Sequence, residues 1–531
     1  MRVYVKKISV TMAAQKAADN QTTDQAVKAK KKYVIWGDFL DVEDDPSSSK
    51  HYLVNWKAFD SKTGTVRIEV YRIAKADCQA EPLLEMIFLD VGQGDGCIVS
   101  IPDGNSHKVM IVDAGEGNNL HRFLKWRFRY VDSSANFHAA IITHSDTDHY
   151  KGFQPIFDDS RVSFGHVYHN GLVERAGTSD LGVLGAISPD GGHERRCLDP
   201  IETKAQLTAL LDPLDGSGRR SGKLYPKLMA TAIASPVRFP DIAMMSVLHG
   251  TTVGGIPYLP GFAPDADKPN IEVLGPISRR DAGKVTLPAF GDAPRDNGFS
   301  VAKTKNGNSV VLKLNYRNLR VIFGGDMNKP SEDFMLRHYS GISVAQPLVD
   351  AIPVARLRLG ADILKCCHHG SADVNDEFVA AINPFAFVVS SGDEESHVHP
   401  RPEILGMLGR NGRGARPMLL CTEILRSTPE SLRLNARQSA ERAKLEAALD
   451  AAVTSVDRKI ARKAINAFWD ARFRRLVNVY GAVTVRSDGN QLLVAFRKEV
   501  STGNPWQLYL FKFQNGDWAG TEIEKKRKAD A

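Results

Sequence analysis

The chain has few cysteines, no long apolar run and no recognisable secretion signal. Its 531 residues include 6 cysteines, and their scattered positions favour reduced thiols over a disulfide framework. No apolar run is long enough to cross a bilayer, which excludes a transmembrane helix. The basic N-terminus, Met1-Arg-Val-Tyr-Val-Lys-Lys7, lacks the apolar core and the cleavage site of exported proteins. Together these absences predict a cytoplasmic protein that does not contact the membrane.

The chain also lacks a strong excess of either charge. Lysine and arginine number 69 against 62 acidic residues, which gives a net charge of +7. This balance permits polyanion binding without requiring it, because phosphate recognition depends on clustered charge. With 43% hydrophobic residues the chain can build one large core, and its length alone allows about two to four domains.

What the chain does have is a dense group of metal-ligand residue types in the segment Ile141-Ile-Thr-His-Ser-Asp-Thr-Asp-His149. A strand that ends at Thr143, followed by a tight turn, can point alternating side chains at one or two cations. Borderline metals such as zinc accept imidazole nitrogen and carboxylate oxygen together. The alternative is a polar turn with solvated acids and a helix-capping aspartate, but the density of ligand types favours a metal site. The four candidate ligands are His144, Asp146, Asp148 and His149.

Further candidate ligands follow later apolar segments. Asp326 ends Val321-Ile-Phe-Gly-Gly-Asp326, where a carboxylate at a strand tip could bridge two metals. His368 and His369 follow Ile363-Leu-Lys-Cys-Cys367, and His399 precedes a proline further on. Each alone is more often a turn residue or a satisfied hydrogen-bonding group. Their joint occurrence in this order favours a metal site.

The spacing of the first group resembles the His-x-His-x-Asp-His signature of the metallo-β-lactamase fold, with Asp146 in place of the second histidine. A longer series of motifs resembles the hydrolase domain of the ComEC DNA-uptake family and its soluble relatives. These motifs are Leu89-Asp-Val-Gly-Gln-Gly-Asp-Gly96, Met110-Ile-Val-Asp-Ala-Gly115, the segment 141–149, Asn308-Ser-Val-Val-Leu312, Gly325-Asp326, His368-His-Gly-Ser371, His399-Pro400 and Tyr480-Gly-Ala-Val-Thr-Val-Arg-Ser-Asp-Gly489.

The resemblance implies an α/β fold, the αββα sandwich of the metallo-β-lactamases, over residues 84–500, with the metal centre at the sheet edges. The local sequence agrees, because Met86–Val91, Cys97–Ile101 and Lys108–Val112 are short apolar segments separated by turn signals. We call residues 143–149, which contain the four candidate ligands, the metal loop. We expect Asp113 to hold this loop by hydrogen bonds, since such groups orient ligands. We assign Asp90 and Asp95 to the turn itself.

The resemblance also implies a centre of two divalent metal ions. His144 and Asp146 would bind one ion and Asp148 and His149 the other, while Asp326 would bridge them. Zinc is the first expectation, and the oxygen-rich ligand set also suits manganese or iron. A metal-activated hydroxide with a second ion nearby suits phosphodiester hydrolysis best.

One of the paired histidines would complete the metal centre. His369-Gly-Ser371 resembles the His-x-Ser element of nuclease members of the superfamily, which favours His369 as the ligand and leaves His368 free to touch the substrate. His399 would bind the scissile phosphoryl group or protonate the leaving oxygen. The candidate catalytic residues are therefore Asp148, His368 and His399, and Asn308 and Ser371 are further candidate hydrogen-bond donors.

Two insertions interrupt the expected hydrolase domain. Residues 172–270 are rich in Gly, Pro and Asp with a helical pattern at Thr203–Leu211, and this insertion forms either a wall over the site or a peripheral addition. His169 is the best-placed extra histidine near it, and His193 and His249 are weaker candidates. Residues 430–477 have helical periodicity. The basic face of these helices is either a solvated surface or a nucleic-acid contact.

The two ends of the chain are predicted to be separate units. Residues 1–30 are interpreted as a flexible or helical segment, and 31–83 as a small β-rich module with alternating strands. Residues 501–531 are interpreted as a strand extension followed by a charged tail. The β-rich module or the helices of the second insertion could bind a protein partner, although packing against the hydrolase domain is the simpler role for the module.

Taken together, the sequence predicts a ComEC-like metal-dependent hydrolase, a phosphodiesterase or nuclease acting on DNA, RNA or a nucleotide. One alternative is a small ester hydrolase of the phosphocholine esterase or lactonase type. Another is a non-catalytic module under the control of a partner. A broad basic groove would favour nucleic acid, and a closed apolar pocket would favour the small ester.

Overall fold

A computed structural model describes residues 1–14, 31–60, 65–128, 133–175, 182–188, 194–211, 224–292, 299–391, 399–422, 434–473, 482–497 and 504–522. Within these residues the chain forms a mixed α/β fold with four β-sheets, which confirms the predicted class. None of the described helices is long and apolar enough to span a bilayer.

The N-terminal sheet has its own small core. It is antiparallel where its strands pair, and Val5, Met12, Val34 and Val54 are fully buried within it. Its strands are Arg2–Val5, Ser9–Ala14, Lys31–Ile35, Phe39–Asp44, His51–Asp60, Thr65–Ala74 and Cys78–Gln79. This differs from the predicted flexible or helical segment at residues 1–30, because residues 2–5 and 9–14 are strands of this sheet. Residues 15–30 lie outside the described residues.

The first central sheet carries the segment 141–149 at one edge. The four strands at one end of this sheet run parallel, and three of them are most buried toward their carboxyl ends, as expected of parallel strands with both faces covered. The C-terminal strand Val483–Ser487 pairs antiparallel with Leu84–Phe88. The strands of this sheet are Leu84–Phe88, Gly96–Asp103, Ser106–Ala114, Ala135–Ile142, Val162–His169, Asp241–Met244, Val483–Ser487, Gln491–Arg497, Trp506–Gln514 and Asp517–Glu522.

The second central sheet carries the later candidate ligands. It is antiparallel up to Leu319–Phe323 and parallel from that strand onward. Its strands are Thr251–Val253, Ile256–Tyr258, Asn270–Gly275, Val311–Tyr316, Leu319–Phe323, Ile363–Lys365, Ala386–Val389 and Met418–Cys421. A small third sheet beside it contains Arg196–Cys197, Arg279–Asp281 and Lys284–Pro288.

The two central sheets pack face to face over one shared core. Val99 and Ile141 of the first sheet and Val273, Val321 and Val388 of the second belong to the same buried cluster. Each fully buried aliphatic side chain contributes about 1.5–3 kcal/mol, so this interface stabilises the fold and fixes the edges of both sheets relative to each other.

Helices cover the outer faces of both sheets. Asn119–Phe128, Thr147–Tyr150, Gln154–Asp158, Lys204–Leu211 and Leu224–Ile233 pack on the first sheet. Lys329–Ser340, Ile352–Leu359, Asp376–Ile382 and Pro402–Asn411 pack on the second. The remaining helices are Val301–Gly307, Ala436–Asp450 and Ser455–Phe473, with 3-10 turns at Lys75–Asp77, Lys151–Phe153, Leu348–Ala351 and Cys367–Gly370.

The two predicted insertions have different roles. Part of the first joins the fold, because Asp241–Met244 adds a strand to the first central sheet and Lys204–Leu211 packs on its outer face. The second is helical, as predicted, with helices at Ala436–Asp450 and Ser455–Phe473. The predicted charged tail, residues 523–531, lies outside the described residues, whereas two strands of the first central sheet precede it.

Candidate metal centre

The site lies where parallel strands of both central sheets end. Ala135–Ile142 leads into the segment 141–149, Leu319–Phe323 leads to Asp326, and Ile363–Lys365 leads to His369. The carboxyl ends of parallel strands lie at the same edge of a sheet, so face-to-face packing brings these residues together. Three of them, His149, Asp326 and His369, form the histidine–carboxylate group together with Asp95, which lies in the turn before the strand Gly96–Asp103.

The ligand atoms of this group converge. All four residues are buried, and each offers one ligand atom within 4.8 Å of the others. His149 Nε2 lies 3.1 Å from His369 Nε2, and both nitrogens lie 3.1 Å from Asp326 Oδ2. Atoms that are each about 2.1 Å from one ion lie about 3.0–3.4 Å apart at tetrahedral or octahedral angles. The three atoms therefore have the spacing of ligands to a single metal ion.

Hydrogen bonds to the other ring nitrogens orient both imidazoles. His149 Nδ1 lies 2.8 Å from Asp113 Oδ2, and His369 Nδ1 lies 3.1 Å from both Asp95 Oδ1 and Ser390 O. Carboxylate and carbonyl oxygens only accept, so each Nδ1 carries a proton, and each ring presents a lone pair at Nε2 once a metal ion replaces the proton there. Two lone pairs and a carboxylate facing one point need a cation between them, which is the arrangement of many metal-binding histidines.

The pKa values show how strongly the charges interact. Burial by itself lowers the pKa of His149, but Asp326 and Asp113 outweigh it and hold that pKa well above its usual value. Burial likewise opposes the raised pKa of His369, which Asp326 and Asp95 bring about. The pKa of Asp326 is held well below its usual value, because His149 and His369 outweigh its burial. Without a metal ion, protons must occupy the place between these groups.

Asp113 has the contacts that the sequence predicted for it. Its Oδ1 accepts a hydrogen bond from Thr143 N at 2.8 Å and its Oδ2 accepts one from Thr143 Oγ1 at 2.6 Å. The same Oδ2 lies 2.8 Å from His149 Nδ1. Asp113 therefore fixes both the start of the metal loop and the orientation of one of its histidines.

The Gly-Gln-Gly turn before Asp95 packs directly on the metal loop. A Cβ at Gly94 would lie 1.7 Å from Asp148 O, and Gly94 has a φ of +105°, so only glycine fits there. Gln93 Nε2 donates to Asp148 Oδ2 at 3.4 Å. Asp148 Oδ2 is 3.5 Å from His369 Nε2, and its Oδ1 is 4.0 Å from His149 Nε2. The structure thus places Asp148 beside the histidine–carboxylate group.

His144 and Asp146 lie next to each other at the border of that group, where the ring centroid of His144 is 4.0 Å from that of His149. His144 is fully buried, its Nδ1 lies 3.1 Å from Thr143 Oγ1, and its Nε2 makes no hydrogen bond with a described residue. His144 Nε2 is 3.8 Å from Asp146 Oδ2, and Asp146 Oδ1 forms a close ion pair with Lys305. Burial and then His149 lower the pKa of His144 to about 3, so this imidazole is neutral.

The paired histidines occupy a strained turn. His368 and His369 have φ values of +48° and +54°, a left-handed conformation that costs non-glycine residues about 1–3 kcal/mol each and that concentrates at functional sites. The turn sends His369 into the group and leaves His368 on the cavity wall, where its ring centroid is 5.9 Å from that of His399. His368 and His399 thus lie beside the candidate metal ligands, as the sequence predicted.

The site opens into a polar cavity of about 540 Å³. Its lining includes Asp148, Asp326, His369 and, from the first insertion, Glu174 and Leu224. Part of the insertion therefore forms a wall of the site. Charged and imidazole groups dominate this lining, in contrast to the closed apolar pocket that would suit a small ester.

Other candidates from the sequence lie elsewhere. His169 is buried and accepts from Gly171 N at 3.1 Å, but it is not among the residues that line the cavity. His249 bonds to Ser246 and Glu202, and His193 lies outside the described residues. Asn308 Nδ2 donates to the backbone at Pro288 and Thr304, so this predicted donor is already engaged.

Sequence reasoning missed two kinds of residue. Asp95 was assigned to a turn, but it belongs to the histidine–carboxylate group. Its position in the motif Leu89–Gly96 was the only sequence signal. Two buried lysines were missed entirely. Lys365 forms a close ion pair with Asp95 and lies 3.9 Å from Asp326 Oδ1, and Lys305 pairs with Asp146.

Comparison with known proteins gives one partial similarity. No protein-family model matches the chain. A stretch of 109 residues is 27% identical to ComE operon protein 3 of Bacillus subtilis (strain 168), and it covers 20% of this chain and 12% of that protein. The match therefore spans about an eighth of that relative, and it agrees with the resemblance to the ComEC family noted in the sequence.

Proposed function

We propose that the protein is a metal-dependent hydrolase of the ComEC-like metallo-β-lactamase branch, which cleaves phosphodiester bonds in DNA, RNA or a nucleotide. One observation carries the proposal: two imidazole Nε2 atoms and Asp326 Oδ2 lie 3.1 Å from one another beside an open polar cavity. Such convergence of lone pairs is costly unless a cation is bound.

The fold supports the family assignment within the proposal. Two sheets that pack face to face, with helices on both outer faces, are the layers of an αββα sandwich. The site lies at the sheet edges, where that fold places its metals. The partial similarity to ComE operon protein 3 points to the same branch.

His149, His369, Asp326 and Asp148 would hold the metal, and Asp113 and Asp95 would hold the two imidazoles in place. Bound divalent ions lower the pKa of water to near neutrality and neutralise charge on phosphoryl oxygens. The neutral tautomer that Asp113 and Asp95 enforce keeps each Nε2 available as a ligand. The chain therefore holds the metal-ligand atoms in position before a metal ion binds, in a buried site where electrostatic interactions are strong.

The two histidines on the cavity wall would act on the substrate. His368 and His399 line the same cavity as Asp148 and Asp326. Burial lowers the pKa of His368, so at neutral pH it is a hydrogen-bonding group without a full charge. We assign to His399 the protonation of the leaving oxygen, which requires an imidazole that titrates near the working pH.

The lining of the cavity supports one of the hydrolase alternatives over the other. A small apolar ester would be bound by apolar and aromatic walls, but carboxylates, lysine and imidazoles surround this site. A metal ion held by the carboxylates, together with the histidines on the cavity wall, would bind the negative charge and the acceptor oxygens of a phosphodiester. The phosphodiesterase is therefore the better-supported function.

The test is metal-dependent cleavage of phosphodiesters. Protein stripped with a chelator and reloaded with zinc or manganese is incubated with single- and double-stranded DNA, RNA and bis-p-nitrophenyl phosphate. We expect cleavage that disappears in the double variant Asp148→Ala/His149→Ala. The matched control is His166→Ala/Asp241→Ala, which removes another histidine–aspartate pair, 2.7 Å apart, from the same sheet outside the cavity.

Three outcomes are informative. Cleavage lost only in the site variant supports the proposal and identifies the preferred polymer. Bound metal without cleavage of any phosphodiester would redirect the search to small esters. Equal cleavage by the two double variants would show that the activity does not arise from this site.

A further inference from the structure

Lys305 occupies the half of the site where a second metal ion would be expected. It lies in the helix Val301–Gly307, and its side chain is only 12% exposed. Its ammonium group forms a close ion pair with Asp146 Oδ1 and lies 3.5 Å from Glu174 Oε1. All three side chains line the same cavity as Asp326 and His369.

The ammonium group takes the place at which oxygen ligands converge. Asp146 and Glu174 both direct an oxygen at Lys305 Nζ, and Asp146 Oδ2 is 3.8 Å from the unbonded His144 Nε2. One imidazole and two carboxylates are a sufficient protein ligand set for a divalent ion. A metal ion there would have to displace a largely buried ammonium group from two carboxylates, and the displaced charge would lose its partners.

The half of the site formed by His149, His369 and Asp326 differs from the half at Asp146 in the position of its lysine. Among the described residues, no lysine stands between His149, His369 and Asp326 Oδ2, whose ligand atoms are 3.1 Å apart. The nearest buried lysine, Lys365, pairs with Asp95, and the Asp326 oxygen that it approaches is Oδ1, at 3.9 Å. This half is open to a cation, whereas the half at Asp146 already contains one.

We infer that the protein binds a single divalent ion per chain and that Lys305 is the fixed cation in place of the second. This inference rests on the proposed function, since it concerns the metal content of the same site. It departs from the two-metal centre implied by the sequence resemblance. Lys305 then balances the charge of Asp146 permanently, at any metal concentration.

The experiment measures metal content instead of activity. Full-length protein is stripped, saturated with zinc or, separately, manganese, freed of excess metal by gel filtration and analysed by elemental and native mass spectrometry. We expect one ion per chain in the wild type and two in Lys305→Met, because Asp146, Glu174 and His144 become free to bind. Lys303→Met is the matched control, since Lys303 lies on the same helix but pairs with Asp292 and Asp373, and it should retain one ion.

A second variant protects the test against misfolding of Lys305→Met. Asp146→Asn should also retain one ion, because the inference excludes Asp146 as a ligand in the wild type. Two ions in the wild type, loss of an ion in Asp146→Asn, or one ion in a folded Lys305→Met would each overturn the inference.

The proposed function is read separately, from cleavage of bis-p-nitrophenyl phosphate by the same samples. Cleavage by a wild type that contains two ions would reject the inference and leave the function standing. One ion without cleavage would retain the inference and count against the phosphodiesterase. A wild type without any bound ion would reject both.

Discussion

Two groups of buried charges lie against the first central sheet, and they differ in whether the charges within each group balance one another. The arginine cluster, formed by Asp38, Glu85, Arg127 and Arg486, joins the N-terminal sheet to the central sheet. Arg127 Nη2 donates to both oxygens of Glu85 at 2.8 and 2.9 Å, and Arg486 Nε donates to Glu85 Oε2 at 2.6 Å. Arg486 also donates to Asp38 Oδ1 at 2.7 Å and to Trp36 O. Two positive and two negative charges satisfy one another.

The histidine–carboxylate group has no such balance. Asp95, Asp326 and the nearby Asp113 and Asp148 face one buried lysine and two imidazoles. Asp326 Oδ1 makes no hydrogen bond with a described residue, and two Nε2 atoms face each other at 3.1 Å. Both groups are buried and charged, so burial and charge alone do not mark a functional site. The distinguishing feature is the convergence of two imidazole nitrogens and a carboxylate oxygen on one point.

The largest expected effect comes from removing the carboxylate at that point. Asp326→Asn keeps the shape of the side chain but removes the charge that both histidines face. We expect loss of the bound metal and a fall of phosphodiesterase activity to background, because a ligand should cost more than the 10–100-fold typical of supporting residues. Elemental analysis and cleavage assays measure this. An unchanged metal content would show that the ion binds elsewhere.

The arginine cluster should respond in stability and not in metal binding. Arg486→Met leaves Asp38 and one side of Glu85 without their partner, and breaking a buried ion pair costs about 3–5 kcal/mol. Urea unfolding measures the change in the free energy of unfolding, and the metal content of the folded variant should equal that of the wild type. A variant as stable as the wild type would contradict a structural role for the cluster.

Acid should weaken the arginine cluster in a defined pH range. Burial alone would raise the pKa of Glu85, but Arg127 and Arg486 outweigh it and lower that pKa from 4.5 to about 2. The stabilisation is therefore complete above pH 4.5 and is lost as the pH falls toward 2, and it amounts to about 3 kcal/mol. Glu85→Gln should remove this part of the pH dependence in unfolding experiments between pH 5 and 2. If the free energy of unfolding of wild type and variant depended on pH in the same way, Glu85 would not be the cause of the loss of stability in acid.

The smallest effect is expected from a supporting residue of the metal centre. Asp95→Asn weakens the hydrogen bond that orients His369 and leaves Lys365 without its charged partner, while His149, His369 and Asp326 remain. We expect metal affinity to fall about 10–100-fold, measurable by competition with a chromophoric chelator. A complete loss, equal to that of Asp326→Asn, would instead identify Asp95 as a ligand.

The sequence predicted the strands and part of the site because their signals are local. Met86–Val91, Cys97–Ile101 and Lys108–Val112 correspond to the strands Leu84–Phe88, Gly96–Asp103 and Ser106–Ala114. Apolar segments that end in His or Asp indicate the ends of parallel strands. The order of these motifs and their resemblance to the ComEC family grouped His149, Asp326 and His369 as candidate ligands, and the structure brings the three together.

The role of Asp95, the two lysines of the site and one N-terminal strand could not be predicted, because they depend on contacts between residues that are distant in the sequence. Asp95 looks like an ordinary turn aspartate, and only the packing of Gly94 on Asp148 O brings it to the site. The charged ends of Lys305 and Lys365 lie several bonds from the backbone, so no periodicity reveals their partners. Ser9–Ala14 was missed because its end was grouped with residues 12–30, which are rich in Ala, Gln, Lys and Asp. Pairing with Lys31–Ile35 decides its conformation.

The pairing of Val483–Ser487 with Leu84–Phe88 has a consequence for biosynthesis. Glu85 and Arg486 are separated by 401 residues, and His149 and His369 by 220. Contacts between such distant segments form late and slowly. While the ribosome is still synthesising the chain, its first half contains the loop of His149 without Asp326 or His369, and Val483–Ser487 and the three strands after it follow near the end of synthesis. The histidine–carboxylate group therefore assembles only after His369 has been synthesised, more than two hundred residues after the loop of His149.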